Sequence, residues 1–196
     1  RDLLQALTSV DLSHEAFPFR AARDIDIGLA RALCVRITYV GELGYELYIP
    51  CEQAVHVYDR LVAEGKSHGL VHAGLSALGS LRLEKAYRDY GHDIDNTDNP
   101  FDTGLGFVVS LDKPGSFIGQ KAAKAQKLKA PYTRGLVQVL VGDPEPLLWH
   151  GEVILRDGQM VGDVRAGSYG HTLGGAVGLA MIESGETPVT ADYLAT

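Results

Sequence analysis

Apolar and polar positions follow two different periods along this chain, and the changes of period divide it into four blocks. At the start, Leu3, Leu4 and Leu7 recur at helical spacing and predict a helix over residues 2–9. A mixed segment continues to about residue 33. Next, the runs CVRITYV and YELYIP flank GELG. Val, Ile, Thr and Tyr favour strands and the two glycines mark a turn, so residues 34–50 read as a β-hairpin. The third block is helical. Residues 52–64 place Ala54, Tyr58, Leu61 and Val62 on one face, and residues 72–88 place Leu75, Leu78 and Leu81 likewise. The loop HDIDNTDNPFD follows, then GLGFVVSLD, which reads as a strand, then a Lys- and Ala-rich helix around residues 118–128.

After Pro131 the helical period disappears. The runs RGLVQVLV, EVILRDGQMVGDV and AVGLAMI read as strands, and Asp157-Gly158 between two apolar runs is a hairpin signal. The pattern predicts an α+β chain, with one region over residues 1–130 and a small β-rich domain over 131–196. The chain opens at Arg1 within a helical pattern and stops at Leu194-Ala195-Thr196, which reads as a piece of a longer protein.

Composition narrows the class. With 196 residues, 45% hydrophobic and 22% charged, the chain has an ordinary globular balance. Its net charge of −7, with 18 Lys and Arg spread along the sequence, sets nucleic acid aside as a partner. No apolar run is long enough to span a bilayer, so no membrane partner is expected. Two cysteines, Cys34 and Cys51, make no disulfide framework and suit a reducing, cytoplasmic setting.

Several chemical motifs fail on inspection. His68 and His72 have ligand-like spacing, but no Glu stands between them in the metalloprotease pattern, and Gly69 is a natural helix break, so no metal is assigned. A calcium loop starting at Asp93 needs Gly at its sixth position and Glu at its twelfth. Asp98 and Gly104 stand there instead, and the carboxylates read as solvated or helix-capping. Gly167-Ser168-Tyr169-Gly170 lies among strands, unlike a nucleophile elbow, and Gly104-Leu105-Gly106 opens no phosphate-binding helix.

The hairpin carries more. With Gly41–Gly44 as a four-residue turn, Val40 opposes Tyr45, Tyr39 opposes Glu46 and Ile37 opposes Tyr48. One face then holds Ile37, Tyr39, Glu46 and Tyr48, since opposed residues share a face and side chains alternate. A carboxylate set among aromatic rings suits a flat heteroaromatic ring with two adjacent N–H donors, such as the aminopyrimidine edge of a pterin. On the residues alone, a sheet-edge carboxylate among ordinary strand tyrosines is the stronger reading. A one-residue change of turn length would put Glu46 on the other face.

At these residues a resemblance becomes specific. ITYVGELGYELYIP resembles the signature hairpin of the glycine-cleavage T-protein superfamily. RDLLQALTSVDLS, AGLSALGSLRLEKAYRDYGHDID, NPFDTGLGFVVSLDKPGSFIGQKA and GEVILRDGQMVGDVRAGSYGHTLG match in the same order. GELGYELY and LRLEKAYRDYG look nearest to the folate-binding half of sarcosine and dimethylglycine dehydrogenases. The resemblance implies a T-protein-like folate-binding fold, a ferredoxin-like α/β portion followed by a small β-barrel or jelly-roll domain. Part of the first region and the last strands of the second are expected to lie outside this chain.

It also implies that Glu46 holds the pterin edge of tetrahydrofolate, that Tyr39, Leu47 and Tyr48 line the site, and that Phe107 gives a ring contact where dimethylglycine dehydrogenase has tyrosine. An N-methylated amine or aminomethyl donor is the implied co-substrate, with FAD only where a flavin domain exists in the same or another chain. Leu78 stands where the T-protein carries a ligand-gripping arginine, which favours the dehydrogenase branch over a stand-alone aminomethyltransferase. The family's aspartate near the reactive folate nitrogen has its place before residue 1, and a second ligand arginine beyond Thr196, so no catalytic residue is assigned here. A third possibility is a non-catalytic folate-binding module. Those relatives carry a lysine-glycine-cysteine-tyrosine motif, and the nearest stretch here, Glu84-Lys85-Ala86-Tyr87, lacks the cysteine.

Overall fold

The computed structural model describes residues 1–195. They fold as two units, Arg1–Leu78 and Gly79–Thr196, each with its own sheet.

The first unit begins with α1 (Asp2–Gln5), a single turn rather than the helix expected over residues 2–9. Gln5 explains the early stop. Its amide donates to the carbonyls of Thr8 and Val10 and accepts from Leu12 N–H, so the side chain takes over backbone groups that a longer helix would use. Strands β1 (Ala22–Ile27), β2 (Ala30–Val35) and β3 (Glu46–Tyr48) form an antiparallel sheet in that order. The β1–β2 turn holds Gly28 at φ 61°, where a Cβ would lie 2.5 Å from His56 Nε2. Period two is visible in the burial. Ile25, Ile27, Ala30, Ala32 and Cys34 point inward and are at most 1% exposed. Leu4, Leu12, Phe17 and Val57 close the same core.

Helix α2 (Ala54–Gly65) follows a short 3-10 turn and covers this face. Its inward residues are Val57 and Leu61, one helical turn apart; Leu61 belongs to the expected face, whereas Ala54 and Tyr58 of that face are exposed. Tyr58 is exposed and its hydroxyl lies 2.9 Å from His72 Nε2. Gly69, at φ 68°, ends the helical run between His68 and His72.

Helix α3 (Leu75–Glu84) also shows a different face from the one expected. Leu75 is 84% exposed, whereas Ser80, Arg82 and Leu83 are buried. The buried side is tied by hydrogen bonds: Ser80 Oγ donates to the Tyr169 carbonyl, and Gln138 Nε2 to that of Leu83. Residues 104–112 form no strand; a 3-10 turn occupies Gly106–Val108. Helix α4 (Gln120–Lys127) lies where the Lys- and Ala-rich pattern places it.

Strands β4 (Arg134–Leu140), β5 (Val153–Arg156), β6 (Gln159–Gly170) and β7 (Gly175–Glu183) build the second sheet, order β4-β7-β6-β5, all antiparallel. Asp157 (φ 50°) and Gly158 (φ 76°) make the tight β5–β6 turn that the Asp-Gly pair predicts. The central strand β7 is buried on both faces, so it reads as an unbroken apolar run. Val177, Leu179 and Met181 pack with Leu83 and Leu136; Ala180 and Ile182 pack with Val164 on the other side. Among the described residues this sheet is open, with β4 and β5 at its edges. The short helix α5 (Ala191–Ala195) closes the described chain.

Candidate functional site

The β2–β3 connection carries the residues that the sequence singles out, and its geometry differs from a four-residue turn. Val35 pairs with Glu46, Cys34 with Leu47 and Leu33 with Tyr48. The connection therefore runs over residues 36–45, and Ile37 and Tyr39 leave the ladder. Three local features cause this. Arg36 N–H donates to the Ala21 carbonyl and its own carbonyl accepts from Arg20 N–H, which fastens the backbone to the β1 side. Thr38 Oγ1 then accepts from Val40 N–H and turns the chain, and Gly41 sits at φ 71°.

The partner of Glu46 has moved from Tyr39 to Val35, four residues. An even shift leaves each side chain on its original face. Glu46 and Tyr48 accordingly stay on the outer side of β3, with Leu33 opposite Tyr48. Leu47 alternates inward, half-buried against the Cys34 core. The Tyr48 hydroxyl donates to Glu46 Oε2 at 2.7 Å. That hydrogen bond, then the nearby carboxylate charge, pushes the Tyr48 phenol above its ordinary titration range. Tyr39 is half-buried in the connection. Phe107 belongs to the second unit, on the 3-10 turn, and is 83% exposed. The structure thus brings Glu46 and Tyr48 together and gives Leu47 a packing position.

Two features of charge differ from what the sequence led one to expect. Asp93, expected in a solvated loop, is fully buried. Arg82 binds both its oxygens, Asp89 N–H donates to Oδ2, and His92 Nδ1 lies 2.9 Å from Oδ1. Asp98 has a 1% exposed side chain and accepts from Arg134 at 2.7 Å. These pairs hold the acidic loop as a structural element. The other feature is Arg36, buried immediately after β2, whose guanidinium donates to the Phe17 carbonyl and to His14 Nδ1. An arginine flanked by Val35 and Ile37 in a strand pattern was the available signal. The cavity it lines, about 310 Å3, also takes in His14, Phe19, Thr38, Glu42 and Leu43, and Glu46 is not among its walls. Cys34 is inert by burial, which pushes its thiol up to about 11.

The sequence profile of the GCVT N-terminal domain matches residues 1–113, more than half of the chain. The chain belongs to the glycine-cleavage T-protein family. The profile of the glycine cleavage T-protein C-terminal barrel domain matches residues 134–194, which contain all four strands of the second sheet. Among curated relatives, the 4-methylaminobutanoate oxidase (formaldehyde-forming) of Paenarthrobacter nicotinovorans is 44% identical over 93% of this chain and 22% of its own. Human mitochondrial sarcosine dehydrogenase is 36% identical over 99% of this chain and 21% of its own. The chain thus spans about a fifth of the length of these T-protein-family relatives. The crystal structure of glycine cleavage system aminomethyltransferase T from Bartonella henselae superposes with a TM-score of 0.78 at 25% identity, covering 93% of this chain and 48% of that one. The mixed α/β architecture with two sheets is the T-protein fold.

Proposed function

We propose that this chain is the tetrahydrofolate-binding part of a sarcosine- or dimethylglycine-dehydrogenase-type enzyme. The observation that carries the reading is the Glu46–Tyr48 pair, on the outer face of β3 within the stretch that resembles the family's signature hairpin. Tyr48 occupies Oε2 from one side and fixes the carboxylate's orientation, while the group keeps acceptor capacity for two parallel N–H donors. That chemistry fits the aminopyrimidine edge of a pterin. Tyr39 and Phe107 are the rings assigned to the ligand by resemblance, and Leu47 steadies β3 from beneath through its core contacts.

The two curated relatives are named for acting on 4-methylaminobutanoate and on sarcosine, both methylamino carboxylates. An amine donor of that class is part of the reading, with the oxidising flavin chemistry supplied elsewhere. Bound tetrahydrofolate would supply two nitrogens that take the one-carbon unit of the oxidised donor, giving 5,10-methylenetetrahydrofolate and the demethylated amine. The chain's own residues bind and orient, which lowers a bimolecular barrier substantially. The domain division near residue 130 belongs to the same reading and is supported by the two family profiles, which end at 113 and begin at 134. A cytoplasmic setting, read from the two cysteines, belongs to the same reading, against the mitochondrial name of the human relative. No described helix is long and apolar enough to cross a membrane.

A stand-alone aminomethyltransferase is the second reading, supported by the Bartonella structure. Leu78, in place of the T-protein's arginine, weighs against it. Calorimetric titration of tetrahydrofolate into the full-length protein, which supplies the site residues expected outside this chain, tests the proposal. Saturable binding at one site supports it, and a flat titration contradicts it.

A further inference from the structure

We infer that Leu33 and Val35, on the outer face of β2, form the floor on which the pterin ring of tetrahydrofolate lies. The identity of the ligand rests on the function proposed above; the floor itself rests on the geometry of the first sheet.

Ile25, Ala32 and Cys34 point inward, so alternation turns Ala22, Leu33 and Val35 to the opposite face, the one that carries Glu46 and Tyr48. The ladder register then fixes their neighbours. Glu46 opposes Val35, which opposes Ala22, and Tyr48 opposes Leu33. Opposed side chains have Cβ atoms about 5 Å apart, and the diagonal from Glu46 to Leu33 is about 7–8 Å. Along the first of these rows the side chains shorten in steps, from glutamate to valine to alanine. The two long polar groups of β3 thus make a wall, and β2 beside it makes a low apolar shelf.

Leu33 is 41% exposed, in a strand whose inward residues are at most 1% exposed, and Val35 is half-buried. The two stand two residues apart, about 7 Å along β2, a distance that a fused two-ring system covers. The sheet order is β1-β2-β3, so among the described residues Glu46 has a floor on its β2 side only. A ring that gives two parallel N–H bonds to a carboxylate lies near the plane of that carboxylate. With its donor edge at Glu46, such a ring extends over β2 and covers Leu33 and Val35. Beyond the shelf the face turns polar: Asp24, opposite Leu33 on β1, accepts from Arg31 Nη2 at 2.9 Å. That ion pair bounds the apolar surface. What remains suits one ring system and is small beside the roughly 800 Å2 that each partner gives to a stable protein interface.

Calorimetric titration of tetrahydrofolate into the full-length protein and its Leu33 variants tests the floor. Leu33→Ala removes most of the exposed apolar area of the shelf and should weaken binding about three- to tenfold, the scale of a partly covered leucine. Leu33→Asp sets a charge beneath the ring and should weaken binding further. Leu33→Met conserves volume and apolar character and should bind nearly as the parent does. Because Leu33 faces outward, the urea midpoint should be alike in the parent, Leu33→Ala and Leu33→Met, which separates lost contact from lost structure. Parental affinity in both Leu33→Ala and Leu33→Asp overturns the inference, as does a loss in Leu33→Met equal to that in Leu33→Ala. A Glu46→Gln titration keeps the two claims apart. If that change weakens binding while the Leu33 variants do not, only the floor is lost. If the unaltered protein shows no saturable binding, the folate reading itself is lost and the floor with it.

Discussion

The Tyr48 hydroxyl donates to Glu46 Oε2 at 2.7 Å, joining alternate residues on the outer face of β3. The bond favours the protonated phenol, so Tyr48 titrates above the ordinary tyrosine range. The interaction is complete below the unfolded-state tyrosine pKa and is lost as pH rises through the raised folded value. Ultraviolet titration of the phenolates should show one tyrosine moving to lower pH in Glu46→Gln. An unchanged profile would mean that the pair does not persist in solution.

The two cysteines should differ in reactivity. Cys34 is fully buried with its thiol pushed up to about 11, whereas Cys51 is exposed. At pH 8 iodoacetamide should label Cys51 alone in the native protein and both after unfolding, as read by mass spectrometry. Rapid native labelling of Cys34 would contradict the packing of the β1–β2–β3 core.

The Arg82–Asp93 pair makes a stability prediction. Asp93→Ala leaves a 6% exposed guanidinium without its carboxylate and should destabilise the second unit by about 3–5 kcal/mol in denaturant unfolding. Replacing both partners, Arg82→Met with Asp93→Leu, should recover most of that loss, because the desolvated charge is then gone. If the single change is nearly neutral, the pair is not buried as described.

Phe107 separates stability from binding. At 83% exposure it supports little packing, so Phe107→Ala should change stability by less than about 0.5 kcal/mol. Its assigned ring contact predicts a weaker tetrahydrofolate affinity. A variant that binds folate as tightly as the parent removes Phe107 from the site.

The sequence was most legible where one local rule acted alone. Asp157-Gly158 specified its turn, and Val177–Ile182 read as a strand because a centrally placed strand is apolar on both faces. It was least legible where a side chain competes with the backbone. Gln5 ended α1 early, and Thr38, beyond the backbone pairing of Arg36 with Ala21 and Arg20, lengthened the hairpin connection. Helix faces were misjudged at Tyr58 and Leu75 because several apolar residues offered alternative stripes, and only the packing of Val57 and Leu83 decided between them. Of the site, the face shared by Glu46 and Tyr48 was predictable from period two, and survived the changed register because the shift was even. The burial of Asp93 was not, since its partner Arg82 lies on α3, across a turn that composition alone does not fold.

The proposed folate contact rests most on the outward carboxylate of β3, Glu46. Isothermal titration of tetrahydrofolate into the protein and into Glu46→Gln, with matched circular dichroism, measures its contribution directly. The amide keeps the shape but loses the charge and one acceptor, so affinity should fall about ten- to hundredfold, the range for a charge-assisted hydrogen bond. Equal affinity in the two proteins would place the folate elsewhere and contradict the site.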